Sequence, residues 1–409
     1  MKFFKAFKIH HNVVESVAFY FGSQYIRGIV FENTNKGIVV KKYSARQIQK
    51  FDTFDLSFAS LNIKDKSHKL RRILLENGLK LAASKKAFGL VIKDLGINPK
   101  FFKNSCLISF PSNILKARIS VASLQRKQQH LKITGEEQAK IQSDIFLQAK
   151  KLIANELKIQ GCSFAKDFDV VKQNIMSQKI AGYPVDSLVG FRGDLLEFKI
   201  LSIFINKNEL AVVKHILEEA GFKHCELRHI IEGIEKSGIQ QKDRSLVLVN
   251  AEDKTTQLLY LQNQVSFVAE FSLGQDDFIN SLKNDCGLPE NEAEQFLSQF
   301  AEGEMSEALR AKISIVLNPL FEKWLDFFVG ITERKENFSF LPSTVLVFGE
   351  NVARALSSRL ENKILQKPLM QNMQVKIIGL GDLAVETKIK FQERPFLPLL
   401  FSCYAKTNH

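Results

Sequence analysis

Residues 246–264 read LVLVNAEDKTTQLLYLQNQ, an apolar run that enters a polar turn and a second apolar run that leaves it. The turn, Asn250-Ala251-Glu252-Asp253-Lys254-Thr255, gathers an amide, two acids, a base and a hydroxyl. This is the outline of a hairpin that grips an oxyanion. Such hairpins use glycine, because without a Cβ the backbone amides approach phosphate oxygens closely. No glycine interrupts this turn, and Glu252 and Asp253 set negative charge where phosphate would lie. Like charges ~4 Å apart cost on the order of several kcal/mol in a protein-like dielectric. Lys254 offsets part of that charge, and Glu252 is alternatively placed to hold a cation. Farther up the chain, two apolar runs in 13–32 stand about Gly22-Ser23. The apolar run TVLVFG (344–349) ends at Gly349.

The elements that must carry these turns are legible from periodicity. Residues 13–48 read as three antiparallel strands joined by short turns, and 245–274 repeat that grammar. Helices are expected at 69–86, 209–221, 307–331 and 351–362, and strands at 105–111, 195–206 and 344–349. Thr134-Gly135-Glu136-Glu137 has capping-box spacing, and Ile141, Ile145, Ala149, Leu152 and Ile153 follow on one helical face. The C-terminal RPFLPLLFSCYAKTNH reads as a last core strand and a short tail.

At 409 residues the chain exceeds one ordinary core, so two domains or lobes are expected. Hydrophobic residues make up 45% and no uncharged apolar run reaches the ~20 residues of a membrane span. The five cysteines (Cys106, Cys162, Cys225, Cys286, Cys403) are scattered without CxxC spacing. Neither a disulfide framework nor a zinc site is therefore expected, and a reducing, cytoplasmic location fits. His215, His224 and His229 lack metal spacing and read as solvated or satisfied side chains. The net charge of +13 is uneven. Residues 1–130 hold 24 Lys+Arg against 7 Asp+Glu, whereas the rest hold 33 against 37. An anionic surface facing the N-terminal third is one consequence, but no aromatic-basic stripe or nucleic-acid module accompanies it, so no nucleic acid is expected.

The ordered set of elements resembles the actin-like ATPases, and among them the FtsA and PilM types. The local match lies in IAGYPVDSLVGFRGDLLEFKILSIFI (180–205), where Gly182, Tyr183, Val185, Gly190, Gly193 and Glu197 stand in the places of that group's inserted subdomain. The resemblance implies an α/β, two-lobed actin-like (ribonuclease H-like) fold with an inserted FtsA-type α/β subdomain. The implied order is a basic-aromatic tail at 1–12, a first lobe at 13–112, the insertion at 113–206, a return to the first lobe at 207–244, and a second lobe at 245–409. ATP with magnesium is the family's cofactor, and Gly22, Ser23, Thr255, Gly274 and Gly349 are the positions that would contact it. The family's hairpins read D-x-G-S/T and D-x-G-x-x-T, so Tyr20 and Asn250 replace both acids that order magnesium and water. No catalytic residue and no metal ligand is assigned, and hydrolysis is not expected.

The N-terminal MKFFKAFKI adds a different chemistry. On a helical wheel Phe3, Phe4 and Phe7 face one way and Lys2, Lys5 and Lys8 the other, the pattern of a foot on an anionic membrane. Liposome flotation tests it, with lysine-to-glutamate exchange at all three positions expected to lower recovery on anionic lipid.

Two binding functions and one enzyme class follow, and the turn pattern at 182–197 favours the first, FtsA-type reading over its PilM-type alternative. An FtsA-type scaffold would link a division tubulin homologue to the inner face of the cell membrane and assemble with itself. A PilM-type platform would bind a peptide of a pilus inner-membrane protein. A sugar or acetate kinase would need the acids that Tyr20 and Asn250 replace.

Overall fold

The computed structural model describes residues 15–22, 24–34, 37–48, 68–99, 105–159, 167–237, 239, 245–262, 264–333, 342, 344–349, 351–365, 374–379, 382–383, 385–387 and 397–404. In chain order the elements begin β1 (Ser16–Phe21), β2 (Tyr25–Thr34), β3 (Gly37–Gln47), α1 (His68–Leu95), β4 (Cys106–Ser109), β5 (Leu115–Gln125) and α2 (Gly135–Ile159). Then come β6 (Phe168–Ile180), β7 (Tyr183–Val185), β8 (Leu195–Asn206), α3 (Lys207–Ala220), β9 (Cys225–Leu227) and α4 (Ile230–Lys236). The second meander is β10 (Leu246–Ala251), β11 (Thr256–Gln262) and β12 (Gln264–Phe271). It leads into helices α5 (Gln275–Cys286), α6 (Glu290–Glu302) and α7 (Glu307–Thr332). The chain continues with β13 (Thr344–Gly349), α8 (Asn351–Leu365), β14 (Gln374–Ile377), β15 (Val385–Thr387) and α9 (Leu397–Tyr404).

Two compact units result. One joins Met1–Ser109, Ile216–Lys236 and Leu383–His409; the other joins Phe110–His215 and Ser237–Asp382. This division differs from the expected boundaries: the first segment ends at Ser109, and the return to the first unit spans Ile216–Lys236 rather than 207–244. The 113–206 insertion groups with 245–382, and the chain from Leu383 onward joins the first unit rather than the second lobe.

In the first unit the sheet order is β15-β3-β2-β1-β4-β9. The β1–β2 and β2–β3 pairs are antiparallel, as the alternating runs and short turns require, and β1–β4, β4–β9 and β3–β15 are parallel. Phe19 meets Phe88 and Phe222 edge-on, with ring centroids 4.9 and 5.4 Å away. Two expectations are corrected here. Cys106 and Cys225 are register partners on β4 and β9, with Cα atoms 4.6 Å apart, and form a disulfide. Sequence spacing carried no hint of it because 119 residues separate the two. The C-terminal apolar run forms helix α9, which buries Leu399, Leu400, Cys403 and Tyr404, and not a strand. A short, uniformly apolar run has no period to distinguish the two.

The second unit holds two sheets. The first, β12-β11-β10-β13-β14, packs one face against α5–α8. Val247, Val249 and Ala251 point into that core, which centres on Phe278, Phe321, Trp324 and Phe328. Strand alternation turns Leu248, Asn250 and Glu252 to the other face. All six residues of β10 are buried, which explains its continuous apolar run. The second sheet, β5-β8-β6-β7, carries α2, whose Ile141, Ile145 and Ala149 pack with Ile180, Leu196, Phe198 and Ile200. Ile153 extends that stripe, but Leu152 is exposed. The capping box forms by half. The Glu137 amide donates to Thr134 Oγ1 at 3.2 Å, but the Glu137 carboxylate takes the Arg126 guanidinium at 2.6 and 2.8 Å instead.

A buried charge cluster fastens β5 to β12. Glu270 on β12 accepts from Lys116 and, at 3.1 Å, from Arg118 Nη2, both on β5. Arg118 Nε also reaches Glu156 at 2.9 Å. Burial alone would raise the Glu270 pKa, but Arg118 and Lys116 outweigh it and hold the carboxyl below its ordinary value. At the other end of β12, Gln264 Nε2 donates to the Met176 carbonyl of β6 at 3.1 Å.

Candidate functional site

The turn after β10 closes on its own side chains. Asn250 near the end of β10 and Glu252 just past it are two residues apart, and both side chains turn to the same side, where they hydrogen-bond. Glu252 Oε1 accepts from Asn250 Nδ2 at 2.7 Å. Its Oε2 accepts from the Ser112 amide and the Ser112 hydroxyl, each at 2.7 Å, and from Thr255 Oγ1 at 3.3 Å. The Ser112 and Thr255 hydroxyls also lie 2.7 Å apart. Glu252 is 3% exposed, while Lys254, the base of the turn, points to solvent. A carboxylate thus sits in a nest of neutral N–H and O–H donors, the chemistry that holds a phosphate oxygen.

The start of α5 is occupied in the same way. A helix N-terminus offers unpaired amides to an anion. Here the Gln275 amide donates to the Glu252 carbonyl at 2.9 Å, and the Asp276 amide to the Asp253 carbonyl at 2.7 Å. The Gly274 amide donates to Asp277 Oδ2 at 2.9 Å. Below the turn Trp324 Nε1 donates to Thr256 Oγ1 at 2.9 Å, and that hydroxyl donates to the Leu273 carbonyl at 2.7 Å. The hairpin and the helix start are one hydrogen-bonded block.

Of the expected cofactor positions, the second unit brings three against this block. Thr255 lends its hydroxyl to Glu252 and Ser112. Gly274 has an extended backbone that any residue could adopt (φ −136°), so its smallness serves space. A Cβ there would strike the carbonyl oxygens of Glu252 and Asp253 and lie 2.6 Å from the Thr255 amide. Gly349 ends β13 with φ 138°, and a Cβ on it would strike the Ala251 carbonyl. At both positions the missing Cβ makes room for this chain's own backbone. Gly22 lies in the first unit, buried in the β1–β2 turn, where its amide donates to the Tyr25 carbonyl at 2.9 Å. Ser23 and the membrane-foot residues Lys2, Phe3, Phe4, Lys5, Phe7 and Lys8 lie outside the described residues. Among the described residues no group of three His, Cys, Asp or Glu could hold a metal ion. His229 is buried and its Nδ1 accepts from the Ile231 amide at 3.1 Å, so it is a satisfied structural histidine.

Ser112 is the residue that sequence reading missed. It lies 140 positions from Glu252, just past β4, and no local pattern links the two. The i, i+2 spacing of Asn250 and Glu252 was the one available signal.

Burial pushes the Glu252 carboxyl up to about 7; the Ser112 and Asn250 donors pull against that, and neighbouring Asp253 adds to it. A raised carboxyl pKa means the folded chain keeps a proton that the unfolded chain releases near its ordinary 4.5. This stabilisation is complete below about 4.5 and is lost as pH rises to about 7. The change amounts to roughly 3 kcal/mol at ~1.4 kcal/mol per unit. Urea unfolding at pH 5 and pH 8 checks it: wild type should lose stability relative to Glu252→Gln on going to pH 8. An unchanged difference would contradict the assignment.

The sheet orders, the two meanders and the inserted sheet define the class. The chain has an actin-like ATPase fold. Among solved structures it is similar to PilM in a "PilM-PilN type IV pilus biogenesis complex", with 11% identity over 96% of this chain and 98% of that one and a TM-score of 0.63. It also matches MreB 5 of Spiroplasma citri bound to AMPPNP (9% identity, 89% and 91% coverage, TM-score 0.42). A third match is the ethanolamine utilization protein EutJ from Carboxydothermus hydrogenoformans (10% identity, 96% and 88% coverage, TM-score 0.39). No family model matches the sequence, and no curated protein matches it.

Proposed function

We propose that this chain is a PilM-type platform protein, which binds a short cytoplasmic peptide of a pilus inner-membrane partner and works without hydrolysing ATP. The observation that carries the reading is likeness to PilM over nearly the full length of both chains, insertion included. The closed hairpin supports the second half of it. A protein that turns over ATP needs open amides at this turn and a carboxylate free for magnesium and water. Here the donors serve Glu252, and Asn250 stands where the acid belongs. On this reading the protein is cytoplasmic and acts at the inner face of the membrane, where the basic, phenylalanine-bearing residues 2–8 add lipid contact.

Fluorescence anisotropy with labelled N-terminal peptides of inner-membrane pilus proteins encoded beside this gene tests the partner. Saturable binding by one peptide, abolished by scrambling its sequence, is expected. No binding by any of them, together with co-sedimentation of the protein with division tubulin filaments, would replace this reading with the FtsA-type one.

A further inference from the structure

The donors around Glu252 come from separate parts of the chain. Asn250 belongs to β10, Thr255 to the end of the turn, and Ser112 to the segment between β4 and β5. Ser112 offers both its amide and its hydroxyl to the same oxygen, Glu252 Oε2. The pocket is built of uncharged donors around one oxyanion, a set that discriminates by hydrogen-bond geometry more than by charge. Beside it the α5 amides fix the backbone that carries the carboxylate. The turn is therefore an anion-binding hairpin in every part except that its anion is covalently attached.

We propose that the Ser112–Asn250–Thr255 nest is an oxyanion seat occupied by the chain's own Glu252, whose carboxylate takes the place of a bound phosphate and clamps the root of the insertion to the hairpin. The proposal rests on the hairpin being closed and is independent of the peptide partner. Three consequences follow physically. Removing the carboxylate leaves Ser112, Asn250 and Thr255 donors buried without their acceptor. It also creates a cavity of the size of a small carboxylic acid. A free oxyanion that fits should then bind there and restore what the side chain supplied.

The test is chemical rescue with the full-length protein at pH 8, where the wild-type carboxyl is ionised. Glu252→Ala and wild type are melted in acetate, in inorganic phosphate and in sodium chloride at equal ionic strength. Glu252→Ala should melt roughly 5 °C or more below wild type in chloride. Acetate at tens of millimolar should recover a substantial part of that loss and leave wild type unmoved. Phosphate rescue as well would show that the seat still admits the larger anion; rescue by acetate alone would show a seat narrowed to carboxylate. Equal response of both proteins to all three salts would overturn the proposal.

If Glu252→Ala does not fold, a cycle of Glu252→Gln and Ser112→Ala decides the matter. Coupling predicts that Ser112→Ala lowers the melting temperature of wild type by more than it lowers that of Glu252→Gln, whose neutral amide oxygen is the weaker acceptor. Additive losses would overturn the proposal, because Ser112 would then act independently of the carboxylate. Peptide affinity measured on the same variants reports separately on the platform reading.

Discussion

Glu270→Ala is expected to destabilise the protein by about 3–5 kcal/mol, the typical cost of leaving a buried charge without its partner. Glu270 and Arg118 each have side chains only 10% exposed, and Arg118 keeps Glu156 as its second, more solvated partner. Deleting Glu270 therefore leaves the Arg118 guanidinium and the Lys116 ammonium, two residues apart on β5, without the β12 carboxylate they share. The loss should localise: hydrogen exchange should rise first in β5 and β12, where the pair joins the inserted sheet to the second meander. Glu270→Leu with Arg118→Met, an apolar exchange of both partners, should recover much of the loss, since replacing a whole buried pair is often near neutral. A small loss for Glu270→Ala, within about 0.5 kcal/mol of wild type, would show the cluster to be solvated like a surface pair.

Gly274→Ala is expected to cost at least about 3 kcal/mol, at the upper end of what overpacking does elsewhere. The added methyl meets backbone, and backbone cannot rotate away as a side chain can. Either α5 withdraws and gives up the Gln275 and Asp276 hydrogen bonds, or the hairpin opens and Glu252 leaves its donors. Gly330→Ala supplies the control. It lies inside α7 with nothing within 4 Å of its added Cβ, so it should gain up to about 1 kcal/mol from helix propensity. Equilibrium unfolding of the two variants beside wild type measures both signs at once.

The sequence announced the elements and concealed the contacts between distant ones. The β8 and β13 bounds and the two meanders follow from apolar runs bounded by turn residues, which are local. Asn250 and Glu252, two residues apart, could be placed on one side of the chain because extended side chains alternate. What Glu252 does there could not be read, because its main partner, Ser112, comes from the segment between β4 and β5, 140 residues away in sequence. The same blindness explains the Cys106–Cys225 bond, made by strands that become neighbours only in the sheet. Helix α9 escaped for the opposite reason: LPLLFSCY is local but uniformly apolar, and burial in the first unit decides its form. Gly274 and Gly349 were read as positions that would contact a nucleotide; in the structure the missing Cβ of each leaves room for hairpin backbone. A sequence pattern does not say which oxygen atoms a missing Cβ makes room for.

The central claim is that this hairpin's donors already hold an anion. Isothermal titration of the wild-type protein with ATP and magnesium at millimolar concentration tests it most directly. The account predicts no saturable heat and, in a parallel melt, no rise beyond that caused by salt. Stoichiometric binding accompanied by a rise of the size RT ln(1 + [L]/Kd) demands would contradict it, since phosphates could enter only by displacing Glu252.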